Sequence, residues 1–308
     1  MSSRHNQSDV HKFFLLGFQV LHSSRIILFI SFLVVYISTI YGNLLIIVLV
    51  STTRHLHSPM YFFLSHLSFC DILLCSTVVP NFLWVTLHNV TGCLIQFHIF
   101  SFSSRSECIL FPVMSYDRYV AICKPLHYQT IMNVRVCLGL VLYAWIFGLG
   151  LMSIVTLLLS LLDFCYSGDI DHFFCDYAPL IQLSCSDTTV VQLVGIALGT
   201  PHLLIETMFI ISTYVCIFLA IHRISSTTGK QKAFSTCSSH LAVVCICYGI
   251  LMAIYIFSAG DLSVTVTKIL SLMYTVVTPL LNPIIYSLRN QDITRTMKRY
   301  WTKWRKML

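Results

Sequence analysis

The sequence predicts an all-α membrane protein, a seven-transmembrane helix bundle followed by a short amphipathic C-terminal helix. Three observations lead there. Hydrophobic residues make up 56% of the 308-residue chain and charged residues only 10%, whereas a soluble domain carries about a quarter of the latter. Seven apolar stretches are each long enough to cross a hydrocarbon layer of roughly 30 Å, which takes about 20 residues at helical rise. Lys and Arg sort to one side of those stretches, as orientation in a bilayer requires.

The stretches are 25–50, 58–84, 94–120, 136–161, 191–221, 237–258 and 265–288. Their internal Pro and polar residues are tolerable where neighbouring helices satisfy the freed backbone groups. Seven spans divide the chain into an extracellular N-terminus (1–24), the bundle (25–288) and a cytoplasmic basic tail (289–308). With the loop after the first span cytoplasmic, fourteen Lys and Arg lie inside and four outside (Arg4, Lys12, Arg25, Lys268), leaving Arg105 within a span. The segment Met1–Lys12 is polar and does not read as a cleavable signal peptide. The sequons at Asn6 and Asn89 both fall outside, and so do Asp163, Asp169, Asp171, Asp176 and Asp187.

Thirteen cysteines are present, nine of them in or at the ends of helices as small buried apolar residues. The other four, Cys93, Cys165, Cys175 and Cys185, cluster outside, where an even number implies disulfides in one of three connectivities. A metal site joining His172 to these thiols is the weaker reading.

Polar groups inside spans are costly, which makes them functional candidates. They are Asn43, Asp71, Arg105, Glu107, His202, Glu206 and Asn282. Cys93 and Asp117 stand 24 residues apart, or roughly 36 Å of helix. Asp117 and Arg118 therefore lie where the third span meets the cytoplasm, and Arg105 lies midway.

Five segments carry a resemblance to a known family. They are Gly42-Asn43; Pro59 to Ser65 (PMYFFLS) running on to Asp71; Met114 to Cys123 (MSYDRYVAIC) with Lys124 to Tyr128; Lys232 to Leu241 (KAFSTCSSHL); and Pro279 to Asn290 (PLLNPIIYSLRN). Each sits on the expected helix, and together they cover nearly the whole chain. The sequence resembles the vertebrate odorant receptors of the tetrapod-type class, a branch of the rhodopsin-like G-protein-coupled receptors. The resemblance implies a receptor rather than an enzyme, at the plasma membrane with its N-terminus outside. It implies a small odorant as ligand, a stimulatory olfactory-type G protein as partner and cyclic AMP as output. The run Asp171 to Asp176 (DHFFCD) implies the pairings Cys93–Cys175 and Cys165–Cys185. Arg118 becomes the switch residue, restrained by Asp117, with Tyr214, His240 and Tyr286 rearranging alongside it. Asp71 and Glu107 resemble the acidic pair that holds a cation, sodium, in the bundle core; no other cofactor is implied. Tyr248 occupies the position where other rhodopsin-like receptors commonly keep a Trp beneath the ligand.

An ionic contact at a wet membrane edge, between adjacent residues that do not face each other on a helix, is easily released. A switch needs such a restraint. Two residues depart from the family. Arg105 replaces a small neutral residue on the cavity side of the third span, where an unpaired Arg costs roughly 3 kcal/mol. Glu206, at matched depth on the fifth span, is the expected partner. An Arg105 left free for a carboxylate or other acceptor on the ligand is the alternative. Pro112 should kink the third span.

By helix position the cavity draws on Phe100, Ser101, Ser104 and Arg105, on His202 and Glu206, and on Tyr248, Leu251, Met252 and Tyr255. The tail from Arg295 to Lys306, with Trp301 and Trp304, reads as an amphipathic helix on the anionic inner leaflet, with lipids rather than nucleic acid as its partner. A transporter or channel is the rival function, since buried acids also mark ion paths, but no inverted repeat is visible. An intramembrane enzyme would need a His-Glu-x-x-His or a Ser nucleophile beside a base, and neither occurs.

Overall fold

A computed structural model describes residues 13–15, 25–83, 87–164, 169–258, 264–289 and 291–305. Seven long helical rods make the bundle: α1 (Arg25–Thr52), α2 (Pro59–Leu83), α3 (Val90–Cys123), α5 (Val134–Ser160), α7 (Thr189–Arg223), α8 (Thr227–Ser258), and the pair α9 (Val264–Leu272) and α10 (Thr278–Arg289). The last two are joined through a π turn at Met273–Val277. Short helices α4 (Tyr128–Ile131) and α6 (Tyr177–Gln182) lie in loops, and α11 (Gln291–Arg305) follows the bundle. Asn side chains start two of the rods: Gly92 N donates to Asn89 Oδ1 at 2.7 Å, and Val136 N to Asn133 Oδ1 at 3.1 Å.

Six of the helical stretches are long and apolar enough to cross a membrane by length and composition. The seventh, α3, is less apolar because it is the central post, packed against α2, α5, α7 and α8. Its charged residues face neighbouring helices, and Glu107, Asp117 and Arg118 are buried. The exposed surface is oily instead, with Ile26, Tyr41, Ile146 and Ile205 among its most exposed side chains. Lipid is the solvent that makes this arrangement stable.

Two prolines leave carbonyls that other helices satisfy. A proline has no N–H for the carbonyl four residues earlier. Pro112 thus frees Cys108 O, which accepts from Tyr248 Oη of α8 at 3.1 Å. Pro283 frees Pro279 O, which accepts from Asn43 Nδ2 of α1 at 3.1 Å. At the same crossing a Cβ on Gly42 would meet Pro283 Cγ at 3.0 Å, so the close approach of α1 and α10 depends on that glycine. α3 continues as one helix through Pro112. Replacing Asn43 by Ala strands the Pro279 carbonyl in the core, and unfolding in detergent should become easier by about 1–3 kcal/mol. A melting temperature equal to that of wild type would contradict this.

The structure differs from the sequence reading at two places. α8 begins at Thr227, ten positions before the stretch that starts at 237, because a helix propagates through the polar run TTGKQKAFST at little cost once nucleated. At the opposite end a three-stranded sheet forms in the order β2-β1-β3. Strand β1 (Phe13–Leu15) pairs antiparallel with β2 (Leu87–His88) and parallel with β3 (Asp169–Ile170). Strands this short carry no period-2 pattern to read.

Candidate functional site

α3 organises three polar clusters. The first holds Arg105. Its Nη2 donates to Glu206 Oε1 of α7 in a salt bridge whose side chains are each 11% exposed. Tyr248 Oη lies 3.4 Å from Glu206 Oε2, so the carboxylate has a partner on each oxygen. Arg105 Nε is buried with no partner among the described residues. Around this cluster, Phe100 is buried with its ring 4.7 Å from that of Phe174. Ser101, Leu251 and Met252 are half-buried. His202 Nδ1 donates to Leu198 O at 2.8 Å, and its ring packs on Phe147 at 5.1 Å. The side chain of Tyr255 lies outside the described residues.

Beside it, on Ser104 and Glu107 of the same helix, lies the acidic cluster. Both oxygens of Asp71 are 3.0 Å from Asn282 Nδ2. Ser104 Oγ is 2.7 Å from Tyr274 Oη, which reaches Glu107 Oε2 at 3.4 Å. Glu107 Oε1, Asn282 Oδ1 and Thr275 Oγ1 are buried without partners among the described residues. Two carboxylates with orphaned neutral oxygens suit a hard monovalent cation. Among the described residues there is no group of three or more His, Cys, Asp or Glu placed to hold a metal ion. Tyr274 is a site residue that sequence reasoning missed. It projects from the π turn, a local register change with no sequence signature, although such turns are frequent at functional sites.

Near the C-terminal end of α3, Arg118 Nε donates to Asp117 Oδ2 at 3.0 Å, with Nη2 on the same oxygen. Tyr128 Oη of α4 donates to Asp117 Oδ1 at 2.7 Å. Burial and the Asp117 carboxylate both push the Tyr128 phenol above its ordinary pKa, so it remains a donor. The pair does not lie in water as the sequence reading supposed: Asp117 is fully buried and Arg118 is 9% exposed. The loop bearing α4 folds against it, and an extended guanidinium can curl back onto the preceding residue although the two Cβ atoms diverge. Beside it, Tyr214 Oη is 2.7 Å from His240 Nδ1, with the two rings stacked at 6.0 Å. Tyr286 is buried with its hydroxyl unpartnered among the described residues.

The opposite end of the bundle is closed by the strap that carries β3 and α6. Cys93 and Cys175 form a disulfide with Cα atoms 5.5 Å apart. Gln96 locks it, accepting from Cys175 N at 3.0 Å and donating to Thr77 O at 3.0 Å. Cys185 is also disulfide-bonded, while Cys165 and Asn6 lie outside the described residues. Asn89 is exposed at the start of α3. Lys268 Nζ of α9 donates to Asp171 Oδ1 at 2.5 Å, tying the strap to the last rod. Neither Gln96 nor Lys268 stood out in the sequence, because a single polar residue near a helix end is ordinary until its partner is placed.

His172, 3% exposed, packs against the rings of both Phe173 and Phe174. Burial first, and the Lys268 cation next, lower its imidazole from 6.5 to about 4. A base with a lower pKa in the fold than in the unfolded chain favours the fold while neutral. That contribution is whole above about 6.5 and is lost as pH falls toward 4. Hydrogen exchange at Asp169–Tyr177 should therefore quicken when the pH drops through this window, beyond the intrinsic pH dependence, and His172→Phe should abolish the extra change.

Comparison with known proteins follows the same outline. A family model described as "Olfactory receptor" matches residues 32–303. The chain is 44% identical over 299 residues to human olfactory receptor 11L1, covering 96% of this chain and 93% of that one. It is 42% identical over 303 residues to rat olfactory receptor 1, covering 97% and 96%.

Proposed function

The chain belongs to the olfactory receptor family, a family of multi-pass G-protein-coupled receptors rather than enzymes, and from that premise we propose how it works. A small volatile ligand enters the outer half of the bundle, beneath the strap and above Tyr248. Its binding releases Arg118 from Asp117, the carboxylate that Tyr128 also holds, opening the cytoplasmic end to a stimulatory olfactory-type G protein that raises cyclic AMP. One observation carries the reading: a single helix, α3, holds the polar cluster at Arg105 and the restrained Arg118 on one rigid rod. A tilt or rotation imposed at one end is transmitted to the other, as a two-state rearrangement of packed helices requires.

The receptor sits in the plasma membrane with its N-terminus outside. The charge asymmetry supports that orientation, and so does the Cys93–Cys175 disulfide at the end opposite Arg118, since disulfides persist on the oxidising side. A glycan on Asn6 or Asn89 would fall on that side too. The basic α11 lies along the anionic inner leaflet. Asp71 and Glu107, with Asn282 and Thr275 nearby, would hold sodium, whose positive charge would let both acids remain ionised. The test is cyclic AMP evoked by a volatile panel in cells carrying the G protein. Ion current or solute uptake without a G protein would favour a transporter instead.

A further inference from the structure

We infer that the ligand is a neutral molecule with an exposed oxygen acceptor, an aldehyde, ketone or ester, and that it binds at the unsatisfied Nε–H of Arg105. This inference rests on the receptor reading above and sharpens it to a chemical class.

The cavity groups leave few donors to spare. Tyr248 gives its proton to Cys108 O or Glu206 Oε2. Tyr274 donates to Glu107, so Ser104 must donate to Tyr274. The Nδ1 proton of His202 goes to Leu198 O. Among these side chains the fully buried N–H or O–H donor left without a partner is Arg105 Nε. A buried, unsatisfied donor is costly and rare, and an acceptor delivered by the ligand removes that cost.

Charge then selects the class. Arg105 and Glu206 neutralise each other across a buried contact. Nε and Nη2 share one edge of a guanidinium, the edge with which Arg118 grips Asp117. Since Nη2 already holds Glu206, an acceptor at Arg105 Nε lies beside that carboxylate. A second carboxylate there would meet like charge and leave the pocket with a net buried negative charge. An amine would compete with Arg105 for Glu206 and leave a net positive one. A carbonyl oxygen takes the Nε–H and leaves the pair neutral. Phe100, Leu251 and Met252 supply apolar surface for the rest of the molecule.

The test uses the full chain at the cell surface with its G protein, read as cyclic AMP. The probes are octanal, octanoic acid, octylamine and octane, and benzaldehyde, benzoic acid, benzylamine and toluene. On at least one skeleton the aldehyde should be more potent than the acid, the amine and the hydrocarbon by about tenfold or more. Arg105→Met combined with Glu206→Met removes the donor without stranding a charge, and at equal surface level it should erase that preference. A response led by an acid, an amine or a hydrocarbon overturns the class and leaves the receptor reading standing. So does an aldehyde potency unchanged in the double variant. Silence toward every probe, in wild-type protein at the surface, counts against both.

Discussion

Removing either partner of the Arg105–Glu206 bridge alone should be the most damaging single change in the core. Glu206→Ala leaves a guanidinium at mid-bundle with no counter-ion, and Arg105→Ala leaves a carboxylate held only by Tyr248. Breaking a buried pair in this way costs about 3–5 kcal/mol, which should appear as retention inside the cell and a lower melting temperature in detergent. The double alanine variant leaves no unpaired charge and should be clearly more stable than the sum of the single losses implies, by at least about 1 kcal/mol. Additive losses would mean that the two side chains act independently, and the bridge would then carry no energetic weight. Because the side chains proposed to meet the ligand also hold the bundle together, the stability measurement must accompany any signalling measurement.

The second large effect is expected at the Asp117–Arg118 end of the bundle. Asp117 accepts from Arg118 and from Tyr128; an outward swing of Arg118 breaks the first contact, and the second holds the carboxylate in place to make it. Asp117→Asn weakens both, because an amide offers one neutral acceptor in place of a carboxylate, and hydrogen bonds to charged groups are worth about 1.5–3 kcal/mol. Basal cyclic AMP should rise severalfold without ligand. Tyr128→Phe removes one neutral donor and should give a smaller rise in the same direction. Basal output at or below wild type in both variants, at matched surface level, would mean that these contacts do not hold the resting state.

Much of this architecture was legible in the residues, for identifiable reasons. Hydrocarbon imposes length and composition on a span so strongly that all seven rods could be recognised as apolar stretches, α3 among them although it carries buried charges. Depth is also readable, because helical rise converts sequence separation into distance. That is how Glu206 could be matched with Arg105 before any coordinates. Contacts that depend on rotation about an axis, or on loops, were not legible. The burial of Asp117 by the α4 loop, the π turn that aims Tyr274 at Glu107, the tie from Asn43 to Pro279 O and the strap ion pair Asp171–Lys268 all join residues whose separation in sequence says nothing about orientation. The sequence did indicate that neighbouring helices must satisfy the groups freed by prolines, but not that Tyr248 and Asn43 are the side chains that do so at Pro112 and Pro283.

One substitution bears on everything above, because a guanidinium released at the inner face is what should turn ligand occupancy into a cellular signal. With Arg118→Ala protein counted at the cell surface and challenged by a compound that activates wild type, cyclic AMP should stay at background at every dose. An undiminished dose–response curve from that variant would contradict the mechanism outright.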